Sequence, residues 1–107
     1  MDNRKLKVIE TVIKSLSGND EVRVGTTNQE FFGELLEGDF NYKRYFHYII
    51  IDKKIDIKPF FRALRNGGYI LSLVKYDENY LHDIGFSAIS EIEDIQIIKK
   101  VHSWNDF

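Results

Sequence analysis

Apolar side chains recur at Leu6, Ile9, Val12, Ile13 and Leu16. That spacing draws one stripe along a helix and predicts a helix over Arg4 to Leu16. Asp2 or Asn3 can cap its start, and Gly18 lies just past its end. Glu21 to Val24 reads as a short strand, turned by Gly25-Thr26. Thr27-Asn28-Gln29-Glu30 has the form of a capping box, in which a Thr hydroxyl and a Glu carboxylate satisfy free backbone N–H groups. It predicts a second helix over Asn28 to Leu36, with Phe31, Phe32, Leu35 and Leu36 as its apolar face and Gly38 as its stop.

Tyr45 to Ile51 is aromatic and β-branched without clean alternation. A strand buried on both faces has that pattern, which favours a parallel central strand. Ile57 to Leu64 reads as a short helix, with Pro59 tolerable in its first turn and Asn66-Gly67-Gly68 at its end. Tyr69 to Val74 is the next strand, and Asn79 to Ile84 a short helix stopped by Gly85. Phe86 to Ile92 and Ile95 to His102 form a predicted antiparallel hairpin turning at Glu93-Asp94. Alternating helices and strands define an α/β class with a mainly parallel sheet.

A length of 107 residues, 43% of them hydrophobic, fits one domain spanning residues 1–107. The chain has no cysteine, which removes disulfides and thiolate metal sites and fits a reducing cytoplasm. No apolar run approaches the roughly 20 residues that span a bilayer, and no signal-like stretch follows Met1. A net charge of −2 argues against nucleic-acid binding by bulk charge. The charge is blocked: Asp20 to Asp39 and Asp77 to Asp94 are acidic, whereas Lys43 to Lys75 is basic. Such blocks are solvated faces or complement one another across a self-association surface.

Three pieces in order carry a family resemblance over Tyr45 to Trp104. Phe46-His47-Tyr48-Ile49-Ile50-Ile51-Asp52 is similar to an F-D-x-I-x-x-D strand, with His47 in the place of Asp. Leu64-Arg65-Asn66-Gly67-Gly68-Tyr69-Ile70-Leu71 is similar to L-K-P-G-G-x-L, with Asn66 in the place of proline. Leu81 to Phe86, followed by the hairpin to Lys99 and Lys100, is similar to L-x-x-x-G-F and two final antiparallel strands. The chain thus resembles the class I S-adenosylmethionine (SAM)-dependent methyltransferases. The resemblance implies a Rossmann-like sheet of order 3-2-1-4-5-7-6, with SAM bound at the end of the first strand.

Two departures stand against that activity. The family's D-x-G-x-G-x-G loop needs glycines so that backbone can approach the cofactor. Val24-Gly25-Thr26-Thr27-Asn28-Gln29 keeps one of them. The link from Gly38 to Tyr45 is also too short for two more parallel strands. The second and third family strands, and the acid that accepts the ribose hydroxyls, are therefore expected to be missing. The expected fold is a reduced methyltransferase fold of about five strands, 1-4-5-7-6, with the first strand at the edge. Right-handed crossovers then put the helices at Asn28–Leu36, Ile57–Leu64 and Asn79–Ile84 on one face. Only Arg4–Leu16 remains for the other, and a second copy is expected to cover what it leaves bare.

The resulting expectation is a degenerate, non-catalytic domain without cofactor, acting as a homodimer or with another protein. The alternatives are a SAM-dependent methyltransferase with an atypical loop and a small-ligand or nucleic-acid binding module. If SAM binds, the resemblance puts Gly25, Thr26 and Asp52 nearest to it. Each has a plain structural reading as well. Gly25-Thr26-Thr27 is then a strand-to-helix turn with a capping Thr, and Asp52 a turn residue capping the next helix. His47 reads as a hydrogen-bonded core residue, and His47, His82 and His102 have no metal-ligand spacing. Aromatic and basic groups interleave from Phe40 through Tyr42, Lys43, Arg44 and Tyr45 to Phe46. They suit core packing beside a solvated turn, or base stacking. Trp104 and Phe107 fit either the core or a partner.

Overall fold

The computed structural model describes residues 3–18, 20–36 and 41–101. The expectations placed on Asp2, Gly38, Phe40, His102, Trp104 and Phe107 fall outside the described residues. The stripe at Ile9, Val12 and Ile13 makes α1 (Asn3–Ser17), whose inner side chains are buried. β1 (Val24–Thr26), β2 (Glu34–Leu35) and β3 (Phe46–Ile51) follow. Next come α2 (Lys58–Ala63), β4 (Leu64–Ser72) and α3 (Glu78–Asp83), and the hairpin β5 (Phe86–Ile92) and β6 (Ile95–Lys100) closes the chain. The class is α/β, with one mixed six-stranded sheet of order β2-β1-β3-β4-β6-β5. β2, β1, β3 and β4 run parallel, and β6 is antiparallel to both β4 and β5.

The expected helix over Asn28–Leu36 does not form, and its place is taken by turns and β2. Gly33 is the physical reason. It lies inside the predicted helix, where glycine costs about 1 kcal/mol against alanine. Here it takes φ +117°, and a Cβ would fall 2.7 Å from the Val24 carbonyl oxygen. That close approach returns the chain alongside β1, where Gly25 pairs with Glu34 and Thr26 with Leu35. The sheet therefore has six strands rather than about five, and β1 is not at its edge. The second strand was expected to be absent because a parallel crossover needs a dozen or more residues. Residues 27–33 make this one without a helix.

A second correction concerns Asn66-Gly67-Gly68, which do not end α2. Strand β4 starts directly after that helix. Phe46 pairs with Leu64 and Tyr48 with Tyr69, so Arg65, Asn66 and Gly67 form an irregular outward bulge.

β3 is buried on both faces, as its unbroken apolar pattern requires. On one face Ile49 and Ile51 pack with Ile70, Phe86 and Ile98 under Phe60 of α2 and Leu81 of α3. On the other, Tyr48 and Ile50 pack with Leu71, Ile95 and Ile97 under α1. Two helices thus share the first face and one serves the second. Strands lie about 4.8 Å apart, so six span on the order of 25 Å. A helix with its side chains is about 10–12 Å across and covers two or three of them. Phe31, from the β1–β2 connection, is buried beside Ile50 and covers part of the α1 face. The β5 side has no such cover among the described residues.

Candidate functional site

Ligands of open α/β sheets bind outside the carboxyl ends of the parallel strands. Gly25, Thr26 and Asp52 all lie at that end, on β1 and just after β3. Gly25 is buried against an aromatic ring: a Cβ there would stand 3.1 Å from Phe46. Its lack of a side chain serves that packing. Thr26 is buried, its Oγ1 donating to the Asn28 carbonyl (3.0 Å) and accepting from the Asn28 backbone N–H (3.2 Å). The Asn28 side chain donates to Asp52 Oδ2 at 2.8 Å, and its Oδ1 accepts from the Glu30 N–H at 2.9 Å. Asn28 therefore links Thr26 to Asp52.

Sequence reasoning passed over Asn28. An asparagine two residues after a strand end, able to bond its own backbone, was the available signal. Thr27 does not cap a helix, because none follows. Its Oγ1 and the Asp52 Oδ1 are buried without a hydrogen-bond partner. Asp52 caps no helix either; Asp56 does the local work by accepting from the Lys58 N–H at 3.0 Å.

The aromatic and basic run packs on the core. The Tyr42, Tyr45 and Phe46 rings meet edge-on or tilted, with centroids about 5 Å apart. Tyr42 donates to Glu34 Oε1 at 2.7 Å, and the Arg23 guanidinium lies 4.4 Å from the Tyr45 ring. Lys43 and Arg44 are exposed on the adjoining turn.

Among the described residues, three of the cavities lie elsewhere, without Gly25, Thr26 or Asp52 in their walls. A polar cleft of about 310 Å³ opens where β3 and β4 begin, between Asp20, Glu21, His47, Arg65 and Asn66, with Tyr48 and Tyr69 stacked beside it. His47 Nδ1 accepts from the Arg23 N–H at 3.0 Å, which leaves the ring proton on Nε2. Burial, then the Arg65 and Arg23 charges, lower the His47 pKa. A hollow of about 260 Å³ sits under the C-terminal end of α1. A third, of about 490 Å³, is an apolar trough between α1 and β5, walled by Val8, Val12, Leu16, Ile89, Ile92 and Ile97.

Ile89 and Ile92 both line the trough because of a β-bulge. Ala88 pairs with Ile98 but Ser90 with Ile97, so Ile89 is an extra residue in β5. The bulge shifts the alternation by one. Phe86 and Ala88 face α2 and α3, whereas Ile92, opposite Ile95, faces α1.

Among the described residues no group of three or more His, Cys, Asp or Glu could hold a metal, and no helix is long and apolar enough to cross a membrane. Comparison with known proteins gives no match to a family model, a curated protein or a solved structure.

Proposed function

We propose that this chain is a reduced, Rossmann-like methyltransferase domain without catalysis, which acts in the cytoplasm through protein association. One observation carries the reading: at the carboxyl end of the sheet the candidate residues bond to one another, with Asn28 tied to both Thr26 and Asp52. The Phe46 ring packs against Gly25 from the α2/α3 core, so the glycine serves packing, and Asn28 bridges Thr26 to Asp52. The strand order supports the family part of the reading. β2-β1-β3-β4-β6-β5 follows 3-2-1-4-5-7-6 with the outermost strand removed. Calorimetric titration with S-adenosylhomocysteine tests it. No heat of binding is expected, and micromolar affinity overturns the reading.

Two observations favour a second reading, a SAM-dependent methyltransferase with an atypical loop. β2, the strand after which the family keeps its ribose acid, is present. Thr27 Oγ1 and Asp52 Oδ1 are also buried and unpaired, as groups awaiting a polar ligand would be. Gly25, Thr26 and Asp52 are then the nearest residues, and the same titration decides between the readings.

A further inference from the structure

We propose that the trough between α1 and β5 seats a second copy of this chain, in an isologous dimer. The proposal rests on the reading that the domain acts by association, and it names the partner and the surface.

The trough is where the sheet is left unfinished. α1 covers the central strands and Phe31 the β1 side, but nothing among the described residues covers the α1 face of β5. Leu16, Ile89 and Ile92 stand 44%, 50% and 41% exposed around one depression. Such large apolar side chains scattered singly need no account; gathered on one concave face they mark a contact surface. The bulge at Ile89 sharpens the point. An unbroken alternation would have put Ile92 on the already covered α2/α3 face. The bulge moves it to the bare one and sets both isoleucines side by side.

The bulge also says how a partner docks. Bulges on edge strands interrupt the ladder and discourage strand-to-strand extension. The contact is therefore made by side chains on the α1 face rather than by continuing the sheet.

Charge points to a second copy as the partner. Lys7 borders the trough on the helix side and Glu93 on the strand side. In an isologous interface the same patch meets itself reversed. A twofold axis lying along the length of the trough brings the basic border of one protomer over the acidic border of the other, which is electrostatic complementarity supplied by one sequence. The net charge of −2 sets little long-range repulsion against it.

The experiment is light scattering on the full chain across the micromolar range. A mass of about 25 kDa, twice the 12.6 kDa chain, is expected. Ile89→Lys with Ile92→Lys should return the mass to one chain, since a charge at the centre of an interface weakens association by roughly thirtyfold or more. Both positions are exposed, so an unchanged melting curve at low concentration shows that the variant still folds. Lys7→Glu and Glu93→Lys should each weaken the dimer, and the two together should restore part of the loss.

A monomer at every concentration overturns the proposal, as does a dimer indifferent to the isoleucine variant. A monomer that dimerises only when residues 102–107 are deleted also overturns it, by giving the trough to the chain's own end. The titration with S-adenosylhomocysteine, run on the same sample, separates the two claims. A monomer without binding sinks this surface alone. Binding by an intact dimer sinks the non-catalytic reading and leaves the surface standing.

Discussion

The two faces of the sheet are finished to different degrees. On the α2/α3 face, Ile49, Ile51, Ile70, Phe86 and Ile98 are all buried beneath two helices. Tyrosines lock that cover down: Tyr76 OH accepts from the Ile55 N–H at 3.0 Å, and Tyr80 OH accepts from the Ile57 N–H at 3.2 Å. On the α1 face one helix and the loop before β2 do the covering, and among the described residues the margin along β5 stays bare. The same strand makes the contrast. Phe86 is fully buried, and Ile89, three residues on, is half exposed. The lesson is that apolar content alone does not mark the core. A large side chain that the fold could have buried and did not is where a partner is to be sought.

The sharpest test is a pair of truncations within β5. Phe86→Ala should cost about 3–5 kcal/mol by urea denaturation, from lost burial and a residual cavity. Ile89→Ala, measured where the chain is dilute, should change stability by about 0.5 kcal/mol or less. Equal losses at the two positions would break the comparison. Gly85→Ala follows in size. Gly85 has φ +90°, and a Cβ would stand 2.4 Å from the Phe61 ring on the covered face. Strain and overpacking together should cost about 2–4 kcal/mol. A loss below the strain cost alone would mean that face is loosely packed.

Tyr80→Phe should cost about 1 kcal/mol, because one hydroxyl accepts from Ile57 and donates to Asp56 Oδ1 at 2.8 Å. It also carries a pH signature. The Lys58 N–H, then the Tyr80 hydroxyl, lower the Asp56 pKa below its ordinary value. A carboxylate lowered on folding contributes stability above its unfolded pKa, and that contribution is lost as pH falls through the folded one. Removing the hydroxyl should shrink the acid-range loss of stability, read from melting temperatures against pH.

The sequence was most legible where one element supplied its own periodicity. α1, β3 and the C-terminal hairpin stand within a residue or two of their expected bounds, because stripe, unbroken apolar run and turn each have a local cause. It was least legible where a long-range approach decided. The Thr27–Glu30 box invites a helix, but Gly33 against Val24 makes a two-residue strand that no local pattern announces. Asn66-Gly67-Gly68 suits a helix end as well as a bulge, and only pairing with β3 chooses. At the candidate site the shortage of glycines was readable, whereas the bridge from Asn28 to Asp52 joins residues 24 apart in the chain. The bare margin was foreseen from one helix serving a whole face. That Ile92 joins Ile89 there depends on the single extra residue at the bulge.

The smallest effect expected concerns His47, in the polar cleft at the other open end of the α1 face. Its neutral ring accepts from the Arg23 N–H, a bond that protonation of Nδ1 would abolish. Burial, then Arg65 and Arg23, hold its pKa below the usual 6.5, while Asp20 opposes them. In the unfolded chain those influences are gone. Between the lowered folded pKa and 6.5 the unfolded chain thus binds more protons, and stability rises with pH across that window. Above 6.5 both states are neutral and below the folded pKa both are charged, so the dependence is flat on either side. His47→Gln should erase the slope. Arg65→Gln should move the His47 titration back toward 6.5 by removing one of the two nearby cations, read from its ring proton shifts. A His47 that titrates above 6.5 would mean the cleft is governed by Asp20 and Glu21 instead, and that this end of the face favours a cation.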